Sequence, residues 1–326
     1  MPATIAPSAF AHPIMPKSPD TCADRPAQVS WAFWPLALLA ALAALGIARN
    51  WWPANAPWLL RSAIAVMLLG GLPHGACDLT LAAQSWQTGP RQLALVLAAY
   101  LAVAAAMAAL WFVAPLAALI LFLALAGLHF GEDWQMLPSA LLRLMAGLAV
   151  LACAAAGQGP TVAALFAALT HSPHALLATQ ALAALAPVTL LVTSVGLAMA
   201  WRSGHRHWVI AQALSYIALL TLPPLLGFTL FFVGLHSPLH WRAIAAQLPP
   251  AIARHARREG LWFSALSLVL WALFLLWQPA TATTPVSNLA PLQLGAEAFR
   301  LLSILAAPHL ALSLAIAARL QSAQQP

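Results

Sequence analysis

Residues 92–113 read QLALVLAAYLAVAAAMAALWFV and residues 115–130 read PLAALILFLALAGLHF, and no Asp, Glu, Lys or Arg stands between Arg91 and Glu132. A helix that crosses the hydrocarbon of a bilayer needs about 20 consecutive apolar residues. These two runs meet that demand, and Pro115 marks the boundary between them. Working outward, similar runs fall at roughly 32–48, 58–72, 139–156, 181–201, 207–222, 225–241, 261–278 and 296–318. Residues 161–178 make a further, weaker run, interrupted by Thr170, His171, Ser172, Pro173 and His174. The pattern predicts an all-α, polytopic integral membrane bundle of about eight to eleven helices. It occupies residues 31–320 as one domain with no internal linker or strong repeat.

Composition leads to the same class. Of 326 residues, 63% are apolar and 6% are charged, whereas a soluble domain carries about 25% charged residues. A soluble chain this poor in charge cannot cover its own surface, but a lipid-facing one need not. The net charge of +7 does not point to nucleic acid, because the Lys and Arg residues sit in short segments between spans. There they mark cytoplasmic loops. The strongest such segment is 242–259, with Arg242, Arg254, Arg257 and Arg258. A multi-pass protein of the cell membrane, the inner membrane of a bacterium, is the expected setting. Residues 1–30 carry Pro2, Pro7, Pro13, Pro16, Pro19 and Pro26 and read as a disordered Pro-rich N-terminal tail. Trp31, Trp34, Trp51, Trp52 and Trp58 bracket the first two spans, and Trp201, Trp208 and Trp241 sit near span ends, as membrane boundaries favour. Cys22, Cys77 and Cys153 form no CxxC pair, so no disulfide framework is indicated.

Ionisable groups inside a membrane need a reason, since a charge at a helix centre costs about 2.5–3.5 kcal/mol. Four segments call for one. In Gly70-Gly71-Leu72-Pro73-His74-Gly75-Ala76-Cys77-Asp78, a proline and glycines break an apolar run beside His74 and Asp78. This is either a broken helix facing a cavity or a turn at the interface with His74 solvated. In His129-Phe130-Gly131-Glu132-Asp133-Trp134, the acids Glu132 and Asp133 fit a polar turn, but His129 still belongs to the apolar run. In His236-Ser237-Pro238-Leu239-His240, two imidazoles stand at i and i+4, on one helix face and able to bind one metal ion. Pro308-His309 lies in the last span, where His309 taken alone reads as a hydrogen-bonded core residue. Together the four predict an intramembrane metal site. Imidazole suits iron, zinc and copper. Ligand histidines donate their second N–H to carboxylates, for which Asp78, Glu132 and Asp133 are candidates.

These motifs, in this order over residues 60–318, resemble the Brp/Blh family of β-carotene 15,15′-dioxygenases. The resemblance implies an oxidoreductase of retinal biosynthesis, a multi-pass helical membrane enzyme using non-haem Fe2+. It would cleave the central 15,15′ double bond of β-carotene with O2 as co-substrate, giving two retinal. It implies metal ligation by His74, His129, His236 and His240. Asp78, Glu132, Asp133 and His309 would support them. Phe130, Trp134, Phe228, Phe231 and Phe232 lie near the motifs and are the candidates for the walls of a substrate tunnel. The implied partners are β-carotene or a related carotenoid and the lipid bilayer, with an opsin as one candidate user of the product. The chain departs from the family pattern at Leu79, where a His usually follows the Asp, and at Leu128, where an aromatic often precedes the His. Tyr100 and Tyr216 are its only tyrosines.

Two other readings compete. A membrane hydroxylase or desaturase with two irons would use HxxHH boxes, and none occurs in the chain. A carotenoid or retinal carrier, or a transporter, shares broken helices and intramembrane acids, but the chain shows no clear inverted repeat.

Overall fold

A computed structural model describes residues 29–75, 77–86, 89–277 and 290–322. The expected disordered tail, residues 1–30, falls almost wholly outside the described residues. Among those described there is no strand. In chain order the helices are α1 (Phe33–Ala48), α2 (Pro57–Gly71), α3 (Asp78–Trp86), α4 (Pro90–Val113), α5 (Pro115–Gly131), α6 (Ala140–Gly157), α7 (Gly159–Thr170), α8 (Ala175–Arg202), α9 (Arg206–Thr221), α10 (Pro224–Thr229), α11 (Ser237–Gln247), α12 (Pro250–Trp277) and α13 (Pro291–Ser322). Short 3-10 turns follow α2 at Leu72–His74 and α5 at Glu132–Trp134, and a π-helical segment, Leu230–His236, joins α10 to α11.

Among the described residues, six helices are long and apolar enough to cross a membrane: Pro90–Val113, Pro115–Trp134, Ala140–Gly157, Ala175–Arg202, Pro250–Leu276 and Pro291–Ile316. Phe33–Ala48, Pro57–Gly71 and Gly159–Thr170 are shorter apolar helices. The outward faces of α4 and α12 expose Leu95, Leu101, Phe112, Leu266, Leu270 and Leu273. Such a surface suits hydrocarbon and not water. The protein is an all-α polytopic membrane bundle.

Prolines set many of the starts. Pro57, Pro90, Pro115 and Pro224 stand in the first turns of their helices, where a missing N–H costs nothing. The weak run at 161–178 breaks where the polar residues interrupt it. His171 takes a left-handed φ of 51° and ends α7, and α8 begins at Ala175. His171 and His174 are both exposed in that corner.

One expectation is revised. The basic segment 242–259 is not a loop: it is helical on both sides of Pro249, and Arg254, Arg257 and Arg258 ride on the first turns of α12. Trp208 lies near a helix end as expected, in the first turn of α9, and is fully buried, edge-on to Trp134 at a centroid distance of 5.1 Å.

Small residues bring α5 and α6 together. A Cβ at Gly147 would collide with the Gly127 carbonyl and the Gly131 amide, and one at Gly131 would stand 2.6 Å from the Arg143 carbonyl oxygen. Such close backbone approach is how helices associate where lipid removes the hydrophobic incentive. It also fixes the last turn of α5, which carries His129. On the far side of the bundle, Arg300 on α13 bonds Glu297 at 2.7 Å and donates to the Leu169 carbonyl at 2.9 Å. That carbonyl belongs to the last turn of α7, where backbone acceptors lack helical partners.

Candidate functional site

The π-helical segment is where the site begins. Pro238 has no N–H to offer the Gly234 carbonyl, and its ring would crowd that group. The turn widens, and the Ser237 amide reaches back to the Phe232 carbonyl, five residues earlier. Insertions of this kind occur often at functional sites. His236 closes the segment, fully buried, and His240 follows one turn later with its ring centroid 6.0 Å away at 25°. The expected sharing of one face by this pair is present.

Four imidazoles from three regions of the chain meet here. His129, at the end of α5, is the hub. Its ring centroid lies 4.6 Å from His236, 5.3 Å from His240 and 5.3 Å from His309. His240 and His309 are 5.2 Å apart. His129, His236 and His309 are all buried. The backbone of His74 lies in the turn after α2, while its side chain, on which its expected place as a ligand depends, lies outside the described residues.

Carboxylates orient these rings. Asp133 Oδ2 stands 2.8 Å from His236 Nδ1, and Asp78 Oδ1 stands 2.8 Å from His309 Nδ1. Glu132 Oε2 lies 3.4 Å from His129 Nδ1. Asp78, Glu132 and Asp133 therefore each face one histidine of the cluster. Two residues that the sequence reading passed over hold this shell in turn. The Tyr100 hydroxyl on α4 interacts electrostatically with Asp78. Glu259, an acid among the arginines of α12, accepts from the Thr80 amide and hydroxyl at the start of α3. No local pattern announces either contact, since the Thr80–Glu259 pair spans 179 residues.

The donor set fits a cation. His236 Nε2 and His129 Nε2 are 2.9 Å apart, and the Nδ1 of His236 meets Asp133. A neutral imidazole has one N–H. With that hydrogen on the Asp133 side, His236 keeps an Nε2 lone pair inside the cluster, the form in which imidazole binds a metal. Among the described residues, no three His, Cys, Asp or Glu side chains already stand at ligand spacing around one point.

Aromatic rings close one side of the cluster. Phe130 lies 5.0 Å from His236, and Phe231 and Phe232 stack on it at 5.8 and 6.0 Å. Phe228 stacks on Phe232 at 5.3 Å, and Phe299 of α13, absent from the sequence reading, joins at 5.2 Å from Phe228. The Phe232 ring lies where a Cβ at Gly71 would be, so that glycine lets α2 pack against the wall. Trp134 does not join this group: it packs on Trp208 and against Gly196.

A family model described as Beta-carotene 15,15'-dioxygenase matches residues 64–316. The Beta-carotene 15,15'-dioxygenase of Uncultured marine bacterium 66A03 is 31% identical over 196 residues, covering 57% of this chain and 70% of that relative. No solved structure matches the chain.

Proposed function

The chain belongs to the β-carotene 15,15′-dioxygenase family, and from that premise we propose that it cleaves the central double bond of β-carotene with O2 to give two retinal. The reading includes non-haem Fe2+ held by His129, His236 and His240 together with His74, in the cell membrane of a bacterium. The observation that carries it is the convergence of buried imidazoles, set by carboxylates, beside a wall of phenylalanines inside a lipid-facing bundle.

Iron bound at such a centre supplies the activation of O2. The residues do the rest. Asp133 and Glu132 orient His236 and His129 through Nδ1, which turns the Nε2 lone pairs to the centre. Phe130, Phe228, Phe231 and Phe232 offer apolar faces against which a rigid polyene can lie, so that one bond is selected by position. Apolar helices keep bulk water from the cleavage site. The carbon–carbon double bond is exchanged for two carbonyl groups, with one oxygen atom of O2 in each product. That balance requires no acid, base or nucleophile from the protein.

The substrate is a hydrocarbon that dissolves in the bilayer, so it meets the protein laterally. The deciding experiment is expression in a bacterial host that accumulates β-carotene, with product analysis by HPLC and mass spectrometry. Retinal formed as carotene disappears is the expected result. Intact carotene beside folded, iron-loaded protein would overturn the substrate assignment.

A further inference from the structure

The four-histidine set that the resemblance implies gives His309 only a supporting part. We infer that His309, set by Asp78, is itself a ligand of the metal at the histidine centre. The inference rests on the metal reading above and deepens it.

His309 sits beside Pro308 in the middle of α13, at a position 3% exposed. Its Nδ1 is 2.8 and 3.0 Å from the two oxygens of Asp78. An ionised carboxylate only accepts, so Nδ1 carries the hydrogen and Nε2 keeps its lone pair. The Tyr100 hydroxyl on α4 also interacts with the Asp78 carboxylate. The turn after α2 packs beside the same ring: a Cβ at Gly75 would stand 3.4 Å from the Cγ atom of His309, in van der Waals contact. The first motif thus acts on the last helix, where its aspartate fixes the tautomer.

This is the arrangement of His236 repeated. There too Nδ1 meets an aspartate at 2.8 Å, and there Nε2 faces His129. His309 lies 5.3 Å from His129 and 5.2 Å from His240 by ring centroid. A histidine that only stapled α13 to α3 through Asp78 would have no need to stand within this ring cluster. A carboxylate–histidine pair aimed at other imidazoles is the arrangement that raises ligand basicity and fixes ring orientation in metal sites.

The test uses the full chain in detergent, freed of metal and titrated with Co2+, whose visible ligand-field bands report the ligand set. His309→Gly should lower Co2+ affinity at least 10-fold and shift the bands, and added imidazole should restore both. Asp78→Asn should lower affinity about 10- to 100-fold with a smaller spectral change. His309→Gln, which fills the same space, repeats the measurement should the glycine variant fail to fold. Unchanged affinity and bands in a folded His309 variant would overturn the role of His309 and leave the metal reading intact. A wild-type protein that binds neither Co2+ nor Fe2+ would overturn both.

Discussion

The Nε2 atom of His236 faces the Nε2 atom of His129 at 2.9 Å, across 107 residues of sequence. Asp133 holds the Nδ1 of His236 at 2.8 Å, and Glu132 lies 3.4 Å from the Nδ1 of His129. Asp133→Asn keeps the shape but offers an amide in place of a full carboxylate. We expect a loss of about 10- to 100-fold in iron affinity or in turnover. Iron per chain, measured by mass spectrometry of the metal after equilibration at set Fe2+ activities, checks it. His236→Ala should abolish cleavage, and undiminished turnover would rule His236 out as a ligand.

The approach of α6 to α5 depends on the absence of a side chain at Gly147. Gly147→Ala places a methyl group against the Gly127 carbonyl and the Gly131 amide, backbone atoms that cannot swing aside. Overpacking of this kind costs about 1–3 kcal/mol. A lowered unfolding temperature in detergent is expected, with turnover falling as well because the end of α5 carries His129. A variant as stable and active as the wild type would show that the two helices have room to separate.

The stack of Phe228 on Phe232 beside His236 is assigned the choice of bond. Phe232→Ala should broaden the products from retinal alone to longer and shorter apocarotenals, while iron content stays unchanged. HPLC of the aldehydes gives the ratio directly. An unaltered ratio would place the polyene elsewhere in the bundle.

Arg254, His255 and Arg258 lie along one face of α12, about one turn before the lipid-facing Trp262, which is 77% exposed. That order puts the basic turns at the membrane surface, and the excess of positive charge predicts the cytoplasmic side. A cysteine placed at Arg257 in a chain lacking the native ones should react with a membrane-impermeant maleimide in inverted vesicles but not in intact cells. Labelling in intact cells would reverse the orientation of the whole bundle.

The sequence reading reached the fold class and most of the cluster by local signals. Apolar run length marks α4, α5 and α6, and polar interruption marks the corner at His171. The i,i+4 spacing of His236 and His240 gives their shared face. What it missed depends on distance. Tyr100 meets Asp78, Glu259 meets the start of α3, and Phe299 meets Phe228 only after the helices pack. Each is an ordinary residue of its own helix, so no pattern within a few turns distinguishes it. The π-helical segment was hidden for another reason. Pro238 predicts a disturbed turn but not which way the backbone yields, and that outcome is set by the Phe and His packing around it.

The ring cluster draws on α5, on the segment Leu230–Gln247 and on α13. The last of these elements to be synthesised is α13. A nascent chain that has inserted everything before α13 holds His129, His236 and His240 but lacks His309, and it leaves Asp78 facing the gap that this ring fills. The centre is therefore completed only when the helix carrying His309 docks among the others. If His309 is a ligand as inferred above, metal loading would be a late event of biogenesis, and prematurely ended chains would carry an open, unfinished site.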